Sequence, residues 1–333
     1  MNLKATLLTP KGFENCEARA ASQGKQGGNG EKTSGAQSHA ILWNGDASHF
    51  LDLHPLGFRN SVINALSEGA QAGTGQPIGA QPRNGALSVN HALLWRGTAK
   101  SVADLHPRGF DFSNALGVWG ASQVGLGGIN GQTHALLWRG TAKSVVDLHP
   151  PGFQDSEAWG VGASAQVGWA ERLIGDGTDD KMRHALLWRG SARSFTDLHP
   201  RGFKNSQATG VSGAQQVGYG DTETSEGNHR ALLWSGTAKS AIDLTPKGFR
   251  YCQANAISGK WQVGFGGGPA TGPIALLWNG SAQSVVDLHY YLKELPLALA
   301  SSEAHGIDSS GDIVGIARDG DGNAYAIKWS ILK

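Results

Sequence analysis

Cysteine, single-sign charge and long apolar runs are all scarce in this sequence, and each scarcity excludes something. There are two cysteines, Cys16 and Cys252, which is too few for a disulfide-stapled framework. Lys and Arg total 28 against 27 Asp and Glu. A net charge of +1 gives no broad electrostatic footprint for nucleic acid and no polybasic surface for a membrane. No run approaches the roughly 20 apolar residues of a membrane-spanning helix. The opening stretch, residues 1–8, carries one lysine and no apolar core, so it does not read as a secretory signal. A cytoplasmic location is expected for the chain as it stands, and an extracellular or periplasmic one if an export signal has been trimmed. Glycine, by contrast, is abundant at 49 of 333 residues, and Trp, Leu and Val recur throughout. That mixture suits short strands joined by tight turns, not disorder.

The recurrence has a period. His91-Ala92-Leu93-Leu94-Trp95 returns at His134–Trp138 and His184–Trp188, and looser copies end at Trp43, Trp234, Trp278 and Trp329. The seven tryptophans fall at intervals of 43 to 52 residues. A second phrase follows each of the first six, as in Asp104-Leu105-His106-Pro107-Arg108-Gly109-Phe110. Next come a Ser-x-Ala-x-Gly-Val phrase, as at Ser206–Val211, and a Gln-Val-Gly phrase, as at Gln216–Gly218. Each phrase is short, β-branched or alternating, and bounded by turn residues, so each reads as one strand. Four strands in about 45 residues make one propeller blade. The strands are named A (Ser-x-Ala-x-Gly-Val), B (Gln-Val-Gly), C (His-Ala-Leu-Leu-Trp) and D (ending Asp-Leu-His-Pro).

The chain begins and ends inside a unit. Leu8-Thr9-Pro10-Lys11-Gly12-Phe13 is a D phrase with its strand just before it, and Ala324–Trp329 is a strand C with no D behind it. The expectation is an all-β, closed seven-bladed β-propeller of four antiparallel strands per blade. It is one domain over residues 1–333, with blade seven made of about 302–333 plus 1–10. Closure by the N-terminal strand pairs edges that would otherwise be exposed.

The units resemble the HAF repeat, a family of bacterial and often extracellular propeller repeats patterned on His-Ala-Phe-Leu-Trp, Asp-Leu, Ser-x-Ala-x-Ala-Ile-Asn and Gly-Gln-Val-Val-Gly. Ala304-His305-Gly306-Ile307-Asp308 and Asp312-Ile313-Val314-Gly315 match its last portion well. The resemblance covers the whole chain. It departs from the pattern in Leu for Phe and in the Leu-His-Pro-x-Gly-Phe phrase. It implies a fold and no particular activity.

Ten of the twelve histidines sit in the repeat. His39, His91, His134, His184 and His229 open strand C; His54, His106, His149, His199 and His289 close strand D. A hydrogen-bond network within each blade is expected over metal binding, because outer-strand histidines cannot converge on one ion and no zinc-like spacing occurs. No metal and no cofactor is expected. The seven tryptophans should pack between blades, with indole N–H groups that need internal acceptors. Cys16 and Cys252 stand where other blades have serine and read as small buried substitutes, with a nucleophile as the alternative. Arg96, Arg139 and Arg189 should lie on the solvated edge.

Function in a ring of like units shows as asymmetry. The B–C connections are long across 76–90 and 170–183 and moderate across 221–228. The last D–A connection is unusual, Tyr290-Tyr291-Leu292-Lys293-Glu294-Leu295-Pro296. Both connection types leave one face of the ring. Strand A should lie innermost. Its first variable position reads Glu17, Val62, Asn114, Glu157, Gln207, Gln253, Glu303, and its second reads Arg19, Asn64, Leu116, Trp159, Thr209, Asn255, His305. By the period of two these share one strand face and should line or rim the channel. Ring closure brings Glu303 and His305 beside Glu17 and Arg19. A His, two carboxylates and an Arg could do acid–base work or clamp an anion.

Two functions follow. One is a binding or interaction propeller, expected to be monomeric, that takes a small molecule, a glycan or a protein on the loop face. Arg19, Asn64, Asn114, Glu157, Trp159, Gln207, Gln253, Asn255, Tyr290 and Tyr291 would make contact. The other is an enzyme, a lyase, hydrolase or cyclase, with His305, Glu303 and Glu17 catalytic at the channel mouth.

Overall fold

A computed structural model describes residues 2–35, 37–82, 89–173, 181–222, 228–268 and 272–332. Among these, seven four-stranded antiparallel sheets form a ring, each in the order A-B-C-D. Blade one is Phe13–Ser22, Lys25–Lys32, Ser38–Trp43 and Phe50–Asp52. Blades two to six repeat the plan, with strands A at Phe58–Ser67, Phe112–Trp119, Asp155–Val161, Phe203–Ser212 and Tyr251–Ser258. Blade seven takes Leu299–Ile307, Asp312–Asp319 and Ala324–Ile331 from the C-terminal end and Leu3–Leu7 from the N-terminal end. The added strand pairs in register from Leu3↔Ile331 to Leu7↔Ile327. No helix among the described residues is long and apolar enough to cross a membrane.

The core lies between blades. Trp138 of blade three packs on Ala92, Leu94 and Leu105 of blade two, and Trp188 of blade four packs on Ala135, Leu137 and Leu148 of blade three. All seven tryptophans are fully buried. Their N–H groups depart from expectation. Only Trp329 finds an acceptor, donating to Leu288 O at 3.0 Å. The other six find none among the described residues. Leu288 differs from its counterparts because a 3-10 helix, His289–Glu294, starts directly after it and turns its backbone to φ −79°, ψ −26°.

The repeated histidines form a network that runs between blades as well as within them. His39 Nδ1 donates to Asp52 Oδ2 at 2.8 Å, and Asp52 Oδ1 accepts from the His54 backbone N–H at 2.9 Å. His54 Nε2 donates to Phe58 O at 3.0 Å. A carbonyl can only accept, so the proton sits on Nε2 and Nδ1 must accept. It does so from Ser61 Oγ of blade two at 2.8 Å, and that oxygen also accepts the Ala40 N–H of blade one at 3.0 Å. The rings of His39 and His54 stack at 3.9 Å. The same stack recurs at His91–His106, His134–His149 and His184–His199. Among the described residues no three His, Cys, Asp or Glu side chains converge as metal ligands would.

His229 is not part of this series. Arg230 holds the position before Ala231 and donates to Asp243 from Nε and Nη2 at 2.9 and 2.7 Å. His229, one residue earlier, bonds Asp221 on strand B. His229 does open strand C, His229–Trp234, but one residue before the position the other four histidines hold, and a one-residue step in a strand reverses the face. Arg96, Arg139 and Arg189 are exposed, as the repeat implied.

Candidate functional site: the channel mouth

Strand A is innermost because its residues are small enough for a crowded axis, and it is more crowded than its own alternation requires. In every blade the A–B register skips one residue, between Ala18 and Ala20 in blade one and between Ala304 and Gly306 in blade seven. The skipped residue is the second variable one. Each is therefore the extra residue of a β-bulge, which re-aims its side chain. The Gly of each Gln-Val-Gly phrase makes this possible: a Cβ on Gly28 would lie 1.9 Å from Glu17 O, and the other six blades give the same distance. One residue past the bulge, a Cβ on Gly306 would meet Arg19 O of the next blade at 2.8 Å.

The seven bulge residues, Arg19, Asn64, Leu116, Trp159, Thr209, Asn255 and His305, surround an open cavity of about 540 Å³. Glu17, Gln253 and Glu303 from the first position join them. Asn114, Glu157 and Gln207 do not line this cavity, and neither do Tyr290 and Tyr291, which pack edge to face on the 3-10 helix. Each first-position residue stands opposite a strand-B residue, and in three blades that residue is aromatic: Glu157 opposite Trp169, Gln207 opposite Tyr219, Gln253 opposite Phe265. Phe265 reaches the cavity wall. It went unread in the sequence, although the residue after Gln-Val-Gly turns aromatic in three successive blades (Trp169, Tyr219, Phe265) and nowhere else. The long B–C connections fall largely outside the described residues at 83–88, 174–180 and 223–227.

Several bulge residues are already employed. Asn64 Nδ2 donates to Ala115 O and Asn255 Nδ2 to Ala304 O, each at 2.9 Å, and Thr209 Oγ1 donates to Ala254 O at 2.8 Å. Each clips its blade to the next. Leu116 has no donor for such a clip, and Trp159 Nε1 donates instead to Glu157 Oε2 of its own strand at 2.8 Å.

At the seam of blades seven and one the clip is ionic. His305 Nδ1 lies 3.1 Å from Glu17 Oε1, and His305 Nε2 lies 3.3 Å from Glu303 Oε2. Glu17 Oε2 accepts from Arg19 Nη2 at 2.8 Å, and Arg19 Nε donates to Asn29 Oδ1 at 3.3 Å. The His305 side chain is 18% exposed. Burial opposes its positive charge, but hydrogen bonds to Glu17 and Glu303 outweigh burial and raise its pKa above the ordinary value. Burial likewise pushes the Glu17 carboxyl up, while the bond from His305 and the charge of Arg19 override it and bring the group to about 2. The chain Glu303–His305–Glu17–Arg19 is two anions alternating with two cations. On the far side, burial raises the Glu157 carboxyl despite the bond from Trp159. Burial also pushes Cys16 and Cys252 to about 12, the reverse of what a nucleophilic thiol needs.

No family model matches this chain, and no curated protein does. Solved structures do. The β-propeller domain of the Trilobed protease from Pyrococcus furiosus, described as having an open velcro topology, aligns with TM-score 0.65 at 11% identity over 95% of each chain. Pyrococcus horikoshii acylaminoacyl peptidase gives 0.59 at 12% identity over 98% of this chain and 53% of its own. TolB from Acinetobacter baumannii gives 0.52 at 10% identity over 79% and 63%. The chain thus spans about half of the peptidase and under two thirds of TolB. At these identities the likeness is one of fold. The fold is a seven-bladed β-propeller.

Proposed function

We propose that this propeller is a monomeric binding module that holds one small molecule at the channel mouth. The observation that carries the reading is the polarity of the cavity. The ionic chain of blades seven and one forms one side, Trp159 of blade four (38% exposed) lies across the ring from it, and Phe265 of blade six adds a second aromatic to the lining. A ligand with one flat apolar face and one hydrogen-bonding end fits that division. Arg19 keeps Nη1 for the polar end, since Nη2 and Nε are the nitrogens already bonded. Binding is favoured over catalysis because both ring nitrogens of His305 face carboxylates, so the imidazolium points no N–H at a substrate. We also infer kinship with HAF-repeat propellers, from the repeat phrases alone.

A thermal-shift screen of ring-containing metabolites tests the reading. Hits should bind one per chain and lose their shift in Trp159→Ala and in Arg19→Ala. Hits that stabilise both variants as well as the wild type would refute the channel-mouth assignment. Turnover of a hit that disappears in His305→Ala would replace binding with the acid–base reading.

A further inference from the structure

We propose a second binding site, between blades four and five, that takes a neutral pyranose such as the terminal residue of a glycan. It stands apart from the channel mouth. The pocket has a volume of about 190 Å³ and is lined by Glu171, Lys181 and Arg183 of blade four and by Gln207, Tyr219 and Asp221 of blade five, among others. At about 30 Å³ per water it has room for about six waters, the size of a single sugar ring and below the usual range for larger ligands.

The repeat departs here in a paired way. Along strand B, the residue after Gln-Val-Gly and the one two further on share a face. In blades four and five, and in no other blade, this pair is an aromatic with an acid: Trp169 with Glu171, and Tyr219 with Asp221. Of these four, Glu171, Tyr219 and Asp221 line the gap, and Trp169 is covered by Arg183.

The chemistry of the walls selects the ligand. The Glu171 side chain is 7% exposed, with Lys181 Nζ at 3.0 Å and Arg183 Nε at 3.2 Å. The Arg183 guanidinium lies over the Trp169 ring at 4.3 Å, and its backbone N–H donates to Asn205 Oδ1 at 3.0 Å. Asp221 pairs with His229 and accepts only a long bond, 3.5 Å, from Asn205 Nδ2. Tyr219 OH donates to Gln207 Oε1 at 3.1 Å. Lys181 and Arg183 share the Glu171 carboxylate and Asp221 adds a second one, so two cationic side chains face two carboxylates and an anionic ligand meets no net positive charge. What remains are single donors and acceptors on fixed groups: further N–H bonds of Lys181 and Arg183, lone pairs of Asp221 and Tyr219, and the Gln207 amide. Neighbouring hydroxyls, each both donor and acceptor, match that array.

Saturation-transfer NMR on the full chain, with D-glucose, D-galactose, D-mannose and N-acetyl-D-glucosamine as separate probes, tests this. At least one should show saturable transfer at one site per chain with a Kd in the millimolar range, about −4 kcal/mol. Asp221→Asn should weaken it tenfold or more. Lys181→Ala, at a side chain 50% exposed, should weaken it at least several-fold in a variant whose unfolding midpoint shows that it is folded. Trp159→Ala should leave it unchanged. The proposal fails if none of the four sugars shows transfer, if transfer survives both pocket variants, or if Trp159→Ala abolishes it. It also fails if inorganic phosphate displaces the sugar, which would make this an anion site.

Discussion

At the scale of single residues, the clearest rule is one of exchange. Five blade junctions pair a strand-D histidine with a strand-A serine. Two replace the pair together: Thr9 with Cys16, and Thr245 with Cys252. The structure supplies the reason. Thr245 Oγ1 accepts the Ala231 N–H at 3.1 Å, and Thr9 Oγ1 accepts the Ala326 N–H at 3.1 Å, the task of serine elsewhere. A serine at 252 would then bring a buried hydroxyl with no histidine to receive it. A buried polar group left unmatched costs about 1–3 kcal/mol. Cys252→Ser alone should therefore destabilise by that order, and Thr245→His with Cys252→Ser should recover most of it. A double-mutant cycle from denaturant unfolding measures the coupling; additive effects would defeat the exchange rule. The sequence carried this covariation openly. The contact spans adjacent blades, whereas a repeat alignment stacks blades without joining them, so the two positions show no link in the alignment.

At the scale of the strand, the bulge in strand A is what the sequence reading passed over. Alternation by two places both variable positions on one face, and a bulge defeats alternation without changing the residue pattern. Its one outward sign is the Gly of Gln-Val-Gly, the position where a Cβ would overlap the opposite carbonyl. All seven second-position residues line the cavity, and of the first-position residues Glu17, Gln253 and Glu303 do while Asn114, Glu157 and Gln207 do not. The bulges also make the interblade clips. Asn255→Ala removes one bond to Ala304 O and should cost about 0.5–1.5 kcal/mol. Gly315→Ala, where a Cβ would lie 1.9 Å from Glu303 O, must displace backbone and should cost at least about 3 kcal/mol, the upper end of overpacking. Thermal unfolding of the two variants should rank them in that order; equal shifts would show that the bulge yields easily.

At the scale of the whole ring, everything converges on one seam. Blades one to six are each continuous in sequence, and only blade seven joins the two ends of the chain. Its five-residue D strand, Leu3–Leu7, pairs with Ala324–Ile331, and losing it would expose the edge of that strand and unseat Leu3, Ala5 and Leu8 from the core. Deleting residues 2–10 should lower Tm by more than 10 °C, about 2–4 °C for each kcal/mol in a chain above 150 residues. An unchanged Tm would contradict closure by this strand. Closure was readable from the D phrase at Leu8–Phe13; the ionic clip was readable only as proximity, because its bonding depends on the bulge.

The second fastening of that seam responds to pH in the direction opposite to the rest of the ring. His54, His149 and His199 are held below their ordinary pKa, by burial first and by the neighbouring stacked histidine second. As pH falls below about 6.5, the unfolded chain takes up protons that these folded residues resist, so stability declines. Asp52, Asp104, Asp147 and Asp197 are lowered against the effect of burial by bonds from histidine side chains and backbone N–H groups. Their contribution is complete above about 3.9 and fades as pH falls further. His305 is raised, so its contribution is complete below about 6.5 and is lost as pH climbs through its folded pKa. Acid should thus loosen the histidine stacks of blades one to four, while mild alkali should loosen only the junction of blades seven and one. Unfolding free energies measured across pH for wild type and His305→Gln separate the two limbs. The variant, with no imidazolium to lose, should be less stable at pH 6 and should show no decline above neutrality, while its acid limb should follow the wild type down to about pH 4.3, below which the wild type also loses the bond of His305 to Glu17. If the alkaline decline persists in His305→Gln, the ionic chain is not what fastens the seam, and the N-terminal strand holds it alone.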